Sequence, residues 1–220
     1  QIDTRKLMFE YFWIDYRTAA SRFSREQGQI DRSVFIKKDI INVYPDTLAW
    51  VHDFTYSYNE PLTNTYFWHP AYDDYPLVGV SWKQARAFSI WRTELLNNYL
   101  RGGGFSAVQH FRLPTESEWE WAARGGLDNN QFPWGGPYIR NTAGCFLGNF
   151  KPLRGNYVDD GGLNTVKVYS YNPNDYGLFC MAGNVAEWTS NSFDESAYDF
   201  AHDMNMDYSY EAKKSDPPSL

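Results

Sequence analysis

Apolar residues recur at helical spacing in two segments of the chain. In the first segment, large apolar residues follow one another at steps of three and four: Phe88, Trp91, Leu95 and Tyr99. This spacing predicts a helix with one apolar stripe along its length. Ser81, with Gln84 three residues later, predicts a capping box at the start of the helix. The glycines at 102–104 are expected to end it.

A second helix is predicted after residue 114. Thr115 and Glu118 have the spacing of another capping box, and two glycines at 125–126 predict the end of the helix. The residues expected on its buried side are Trp119, Ala122 and Ala123.

The other apolar residues lie in short segments. Residues 8–14 look like a strand, although so short a run does not separate a strand from a buried helix. Residues 33–36 and 40–44 are predicted as short strands, and residues 56–75 as an ordered surface loop held by its aromatic side chains. We therefore expect an α+β fold that is rich in loops, with two main helices and short antiparallel strands.

Composition and charge restrict the classes of function that the chain can have. The chain has 220 residues, 19% of them aromatic, and a net charge of −7, which argues against nucleic-acid binding. No apolar run approaches the roughly 20 residues that cross a bilayer. The two cysteines, Cys145 and Cys180, are expected to be separate buried thiols, although a disulfide in an oxidising compartment is the alternative.

Three sequence blocks carry a family resemblance. They read Val-Gly-Val-Ser-Trp at 78–82, Arg-Leu-Pro-Thr-Glu at 112–116, and Gly-Asn-Val at 183–185 within a longer block at 174–188. In this order and spacing the chain resembles the formylglycine-generating-enzyme, or sulfatase-modifying factor, family. The resemblance implies the fold of that family, which is distantly related to C-type lectins.

Further segments resemble one branch of that family, the PorK/GldK lipoproteins of the type IX secretion and gliding machinery. They lie at 44–50, 67–76 and 149–162, and in the tail at 194–218. The resemblance implies a lipoprotein at the periplasmic face of the outer membrane, with a lipid anchor outside this chain. It also implies a large ring of copies with a PorN- or GldN-type partner.

The same branch sets our expectation for the domain organisation. Residues 1–220 are expected to form a single formylglycine-generating-enzyme-like domain that is truncated at both ends. Within this domain, residues 45–76 are expected to be an aromatic loop insertion.

The resemblance also implies cofactors. Calcium binds oxygen ligands, and the first family site would use the side chains of Asn149 and Asp160 with the carbonyls of Phe150 and Gly162. A second site would use the carbonyls of Gly183 and Val185 with Glu187. At this second site Cys180 occupies the position where the family has an Asp or Asn, so the second site is the weaker prediction. Glu187 is then expected to be a structural hydrogen-bond acceptor.

We expect no catalytic residues and no copper. The enzymatic relatives use a cysteine pair near the C-terminus to bind copper, whereas Cys145 and Cys180 both lie upstream of that region. The expected function is a non-enzymatic structural subunit whose aromatic residues contact partners. The tyrosines proposed for partner binding are Tyr58, Tyr72, Tyr198, Tyr208 and Tyr210. A formylglycine-generating-type oxidase and a calcium-dependent glycan- or peptidoglycan-binding module are the alternatives.

Overall fold

A computed structural model describes residues 3–22, 31–56, 60–151, 156, 158–159, 161–193, 195–196 and 199. The chain divides into two compact units, each built from two separate stretches. The first unit comprises Gln1–Asp46 and Val80–Arg112, and the second comprises Thr47–Gly79 and Leu113–Leu220.

The first unit contains an antiparallel hairpin. Strand β1 is Met8–Ile14 and strand β2 is Ile36–Asn42, paired from Met8 opposite Asn42 to Ile14 opposite Ile36. On the inner face Tyr11 is buried, and the indole of Trp13 donates a hydrogen bond of 2.8 Å to Asp39. The ambiguous segment at 8–14 is therefore a strand, and a short helix, α1, follows it at Tyr16–Ala20.

The predicted strands at 33–36 and 40–44 are one strand preceded by a turn of helix. Arg32–Phe35 forms a 3-10 helix, because the Asp31 side chain accepts a hydrogen bond from the Ser33 backbone N–H and starts a turn. Strand β2 begins only at Ile36. The prediction for 33–35 is thus wrong, and residues 40–42 are the end of the same strand.

The longest helix of the described residues is Trp82–Gly102, which belongs to the first unit and is called helix A below. Its capping box of Ser81 and Gln84 is confirmed. The amide of Gln84 also donates to the carbonyls of Asn42 and Tyr44, which ties the start of helix A to the end of β2.

The buried side of helix A is made of small and polar residues. Ala87, Thr93 and Asn97 are buried. The Asn97 side chain accepts from the Val108 N–H at 2.8 Å and donates to the Val108 carbonyl at 3.4 Å. The Thr93 hydroxyl accepts from the Phe111 N–H. Helix A therefore holds the 105–111 segment through side-chain hydrogen bonds, and its predicted apolar stripe faces solvent.

The second unit begins with short helices around an aromatic cluster. Helices Ala49–Asp53 and Pro61–Thr65 are followed by a 3-10 turn at Pro70–Tyr72, so the predicted loop at 56–75 is partly helical. Proline at the first helical position explains the start at residue 61. Tyr66 is buried and packs against Trp50, Tyr72 and Tyr75, with ring centroids 5.1, 5.2 and 6.2 Å away.

The second main helix of the chain is Glu116–Arg124, called helix B below. Its capping box of Thr115 and Glu118 is confirmed, Ala123 on it is buried, and Gly125 ends it in the left-handed conformation. Residues 127–151 and 161–193 then form turns and loops. This is the α+β, loop-rich architecture expected from the sequence. Among the described residues no helix is both long enough and apolar enough to cross a membrane.

Candidate functional site

The loops of the second unit meet at Asn149. Its backbone carbonyl accepts a hydrogen bond from the Asn184 N–H at 2.7 Å. Its side-chain Nδ2 donates to the Asn164 carbonyl at 2.7 Å and to the Asn184 Oδ1 at 3.3 Å. One residue thus joins three separate stretches of loop. Each of these bonds also satisfies a polar group that is partly removed from water.

Asn184 continues this network towards Val166. The Asn184 Oδ1 accepts from the Val166 N–H at 2.9 Å, and the Asn184 Nδ2 donates to the Val166 carbonyl at 3.1 Å. The side-chain amide of Asn184 therefore pairs with the backbone N–H and carbonyl of Val166 in the way that a neighbouring strand would. Asn184 itself has a φ of 80°, a left-handed conformation that Asn adopts more readily than most residues.

Two glycines allow the loops to approach Asn149 closely. A Cβ added to Gly183 would overlap the Asn149 carbonyl oxygen. A Cβ added to Gly162 would lie only 2.8 Å from the Asn149 Oδ1. Both positions therefore require the absence of a side chain.

The first predicted calcium site fits these residues. Asn149 uses its Nδ2 for both of these side-chain hydrogen bonds, and its Oδ1, beside Gly162, accepts none from the residues that the structure describes. The carbonyls of Phe150 and Gly162 also accept no hydrogen bond from the described part of the chain. Uncommitted oxygens of this kind are what calcium binds. The fourth predicted ligand, Asp160, lies outside the described residues.

The second predicted calcium site does not fit. The Cys180 thiol donates to the Val168 carbonyl at 3.4 Å, and burial raises the pKa of this thiol above its ordinary value. The Cys180 sulfur therefore keeps its proton and is engaged in a hydrogen bond, at the position where calcium would need an oxygen ligand. Glu187 accepts a 2.8 Å hydrogen bond from the indole of Trp119 on helix B. The roles of Gly183 and Val185 as calcium ligands stay predictions.

The two cysteines are both free, and they differ in exposure. Cys180 is half-buried, whereas Cys145 is exposed, so the expectation of two buried thiols is wrong for Cys145. Cys145 lies in a tight loop whose backbone N–H groups bond to the Asn141 side chain. Arg140 beside this loop stacks on Phe146 at 3.7 Å. Cys145 therefore lies at the surface in a loop that the Asn141 side chain holds together.

No set of three His, Cys, Asp or Glu side chains that could hold a metal ion occurs among the described residues. Any cation at Asn149 would therefore rest on amide and carbonyl oxygens together with ligands from elsewhere in the chain.

Of the five tyrosines predicted to bind partners, only Tyr72 lies within the described residues. Tyr72 is half-buried and packs against Tyr66 and Tyr75 in the aromatic cluster, at 5.2 Å from each. The others lie outside the described residues: Tyr58, Tyr198, Tyr208 and Tyr210. Partner binding by all five stays a prediction.

Sequence reasoning missed the structural asparagines. Asn174 is buried, donates to the carbonyls of Ala122 and Ala123 at the end of helix B, and accepts from the Tyr176 and Leu178 N–H groups. The neighbouring turn residues Asp175 and Gly177 were the available signal, because Asn is common where a side chain replaces a backbone partner.

Comparison with known proteins places these loops in a family. The sulfatase-modifying factor enzyme 1-like domain family matches residues 35–214. A Bos taurus protein named inactive C-alpha-formylglycine-generating enzyme 2 is 37% identical over 127 residues, which cover 57% of this chain and 36% of that relative. A Streptomyces coelicolor formylglycine-generating enzyme is 38% identical over 128 residues, covering 57% of this chain and 35% of the enzyme.

A segment similar to this chain also occurs in a protein of another name. The serine/threonine-protein kinase pkn1 of Chlamydia pneumoniae is 34% identical over 131 residues, or 60% of this chain and 16% of the kinase. The chain therefore spans about a third, or less, of the relatives it matches. Because the family match extends over most of its length, the chain belongs to the sulfatase-modifying factor enzyme 1-like domain family.

Proposed function

We propose that this chain is part of a non-enzymatic structural subunit of the type IX secretion machinery. In this proposal the subunit lies at the periplasmic face of the outer membrane and forms a ring with a PorN- or GldN-type partner. The family domain supplies the framework. The assignment to secretion rests on the PorK/GldK-like segments at 44–50, 67–76 and 149–162.

The observation that carries the scaffold role is the exposed apolar surface of the first unit. The outer face of the β1–β2 hairpin presents side chains that are between 46% and 61% exposed: Met8, Phe12, Ile14, Ile36 and Ile40. Apolar side chains gathered on one face of a sheet are typical of a surface that binds another protein.

The Cys180 thiol is not arranged for oxidase chemistry. A thiolate is the reactive and metal-binding form of cysteine. Burial keeps the Cys180 thiol protonated by raising its pKa, and its hydrogen atom is directed to the Val168 carbonyl. Cys145 lies in an exposed loop. A relative whose name marks it as inactive shares 37% identity with this chain, so the family includes members described in that way.

Calcium is proposed as a structural cofactor of the first site. Asn149, Phe150 and Gly162 would hold it with Asp160, and the ion would supply positive charge that binds the loop oxygens together. The Asn149 and Asn184 hydrogen bonds already join these loops, so the ion would reinforce an existing junction. No copper is proposed.

Affinity purification of the full-length protein from its native membranes tests the proposal. We expect a second periplasmic protein to be retained in a constant ratio after washing with moderate salt. Retention of no other protein, with the subunit recovered alone, would contradict the scaffold role. A matched purification of the variant Phe12→Glu, which places a charge on the hairpin face, should lose the partner.

A formylglycine-generating oxidase is the second candidate, because the Streptomyces coelicolor enzyme is 38% identical over the shared region. Incubation of the copper-treated full-length protein with a cysteine-containing substrate peptide separates the two functions. The scaffold proposal predicts no conversion of cysteine to formylglycine under conditions in which that enzyme converts the peptide. Conversion would establish the oxidase instead.

A further inference from the structure

The backbone at Cys180 has a conformation that suits a different type of residue. Its φ is 57°, in the left-handed region that Asn and Asp adopt more readily than other residues with a side chain. Within the described part of the chain, the other non-glycine residues with a positive φ are both asparagines, Asn129 and Asn184. The turn at 180 therefore has a geometry that favours a side-chain oxygen, although the residue there carries a thiol.

The thiol of Cys180 joins two loops of the second unit. It donates to the Val168 carbonyl at 3.4 Å, and its sulfur lies 3.9 Å from the Asn184 Nδ2. The backbone carbonyl of Cys180 accepts from the Gly183 N–H at 3.2 Å, which closes the turn. These contacts connect the segment at 166–168 to the turn at 180–184 through a side chain alone.

Oxygen atoms suited to a cation lie on the same turn. The carbonyls of Gly183 and Val185 accept no hydrogen bond from the described residues. The Glu187 carboxylate, which interacts electrostatically with the Cys180 thiol, accepts the Trp119 indole N–H through Oε2. Its Oε1 accepts none from the described residues. The turn thus differs from the predicted second calcium site at one ligand, residue 180.

That one difference is enough to exclude calcium. Calcium is a hard cation that binds oxygen, and its affinity rises with the number of charged ligands. A neutral thiol at position 180 provides neither an oxygen nor a charge. Its hydrogen bond to Val168, however, already joins the loops that an ion at this turn would hold together.

We propose that the Cys180 thiol takes the place of a calcium ion at this turn, holding the two loops together without metal. Residue 180 alone then decides whether the turn depends on calcium. The inference rests on the calcium chemistry of the proposed function and is independent of the secretion role. It confines structural calcium to the site at Asn149.

Calorimetric titration of the purified full-length protein with calcium tests the proposal. Cys180→Asp should bind one calcium ion more than the wild type, because Asp supplies a charged oxygen and suits the left-handed backbone. Cys145→Asp adds the same carboxylate to an exposed loop and should bind no additional ion. Glu187→Gln, combined with Cys180→Asp, should remove the additional ion while keeping an acceptor for Trp119.

Stability gives a second measurement. Cys180→Ala should lower the thermal unfolding midpoint by about 3 °C or more, equally with calcium and with a chelator, because no ion replaces the lost hydrogen bond. Cys180→Asp should be less stable than the wild type in chelator, where its carboxylate faces Glu187 without an ion between them. Calcium should then raise its midpoint more than that of the wild type. Cys180→Asn, which adds a neutral oxygen, should also gain an ion and serves if the Asp variant does not fold.

Four results would overturn the proposal. The first is an equal number of calcium ions on the wild type and on both the Asp and Asn variants. The second is an additional ion that Glu187→Gln does not remove. The third is a Cys180→Ala variant as stable as the wild type, and the fourth is one destabilised only in calcium. Each concerns the turn alone, so the co-purification test of the secretion role is unaffected.

Discussion

Asn149 and Gly183 touch through their backbones, with the Asn149 carbonyl oxygen occupying the space where a Cβ on residue 183 would lie. The same oxygen accepts the N–H of Asn184 at 2.7 Å. The contact joins the loop of the predicted first calcium site to the Gly-Asn-Val turn. The Gly-Asn-Val sequence at 183–185, which is part of the family resemblance, therefore brings two loops together.

Replacing Gly183 by alanine should lower the free energy of unfolding by about 2–4 kcal/mol, because the new methyl group meets a backbone oxygen that cannot move aside alone. Chemical denaturation measures the loss. Gly177→Ala is the matched control, since Gly177 has a φ of 78° and open space around it. Its cost should be only the left-handed strain, about 1–2 kcal/mol. Equal costs at the two positions would show that the Asn149 contact is not tight.

Calcium should raise the thermal unfolding midpoint of the full-length protein, because an ion that binds only the folded state stabilises it. The increase should disappear in Asn149→Ala, which removes a predicted oxygen ligand. Thermal unfolding with calcium and with a chelator measures the difference.

Glu187→Gln provides the control for that experiment. Gln can still accept the Trp119 hydrogen bond, and the second calcium site is not expected to form, so this variant should keep the full calcium response. A response lost in Glu187→Gln and kept in Asn149→Ala would place the ion at the second site.

Removing the Tyr66 hydroxyl should destabilise the second unit. This hydroxyl donates to the Pro76 carbonyl at 2.5 Å and accepts from the Thr165 hydroxyl at 3.3 Å. Tyr66→Phe should therefore lower the free energy of unfolding by about 1–2 kcal/mol. Tyr72→Phe is the control. It removes the hydroxyl of a neighbouring ring, which makes no hydrogen bond within the described residues, so the loss of stability should be smaller. A larger loss for Tyr72→Phe in urea denaturation would refute this assignment.

The two cysteines should react at different rates. Iodoacetamide reacts with the thiolate, and the raised pKa of Cys180 means that this thiol keeps its proton to higher pH than an ordinary cysteine. At pH 8 the exposed Cys145 should be alkylated well before Cys180, as followed by mass spectrometry of the peptides. Unfolding in urea should remove the difference. Equal rates in the folded protein would show that Cys180 is accessible and ionised.

Local signals in the sequence predicted the helices well. The Ser81–Gln84 and Thr115–Glu118 pairs lie within one helical turn, so both capping boxes and both helix starts could be read from neighbouring residues. The turn at Asp31 was missed because an aspartate cap and a strand start look alike in a short apolar segment.

Which residues are buried, and how the site is built, depend on contacts between residues that are far apart in the sequence. The apolar stripe of helix A suggested a core face, yet Asn97 and Thr93 face the 105–111 segment because its backbone needs their hydrogen bonds. The pairing of Asn149 with Asn184 spans 35 residues of sequence and follows no periodicity. The family resemblance indicated Asn149 as a ligand, but only the structure shows which of its atoms is already used.

The mass of the native assembly tests the scaffold role most directly. Mass photometry of the full-length protein, extracted gently from its own membranes, should show a large particle that contains many copies together with a second protein. Recovery of the protein only as a particle with the mass of one polypeptide would contradict the account.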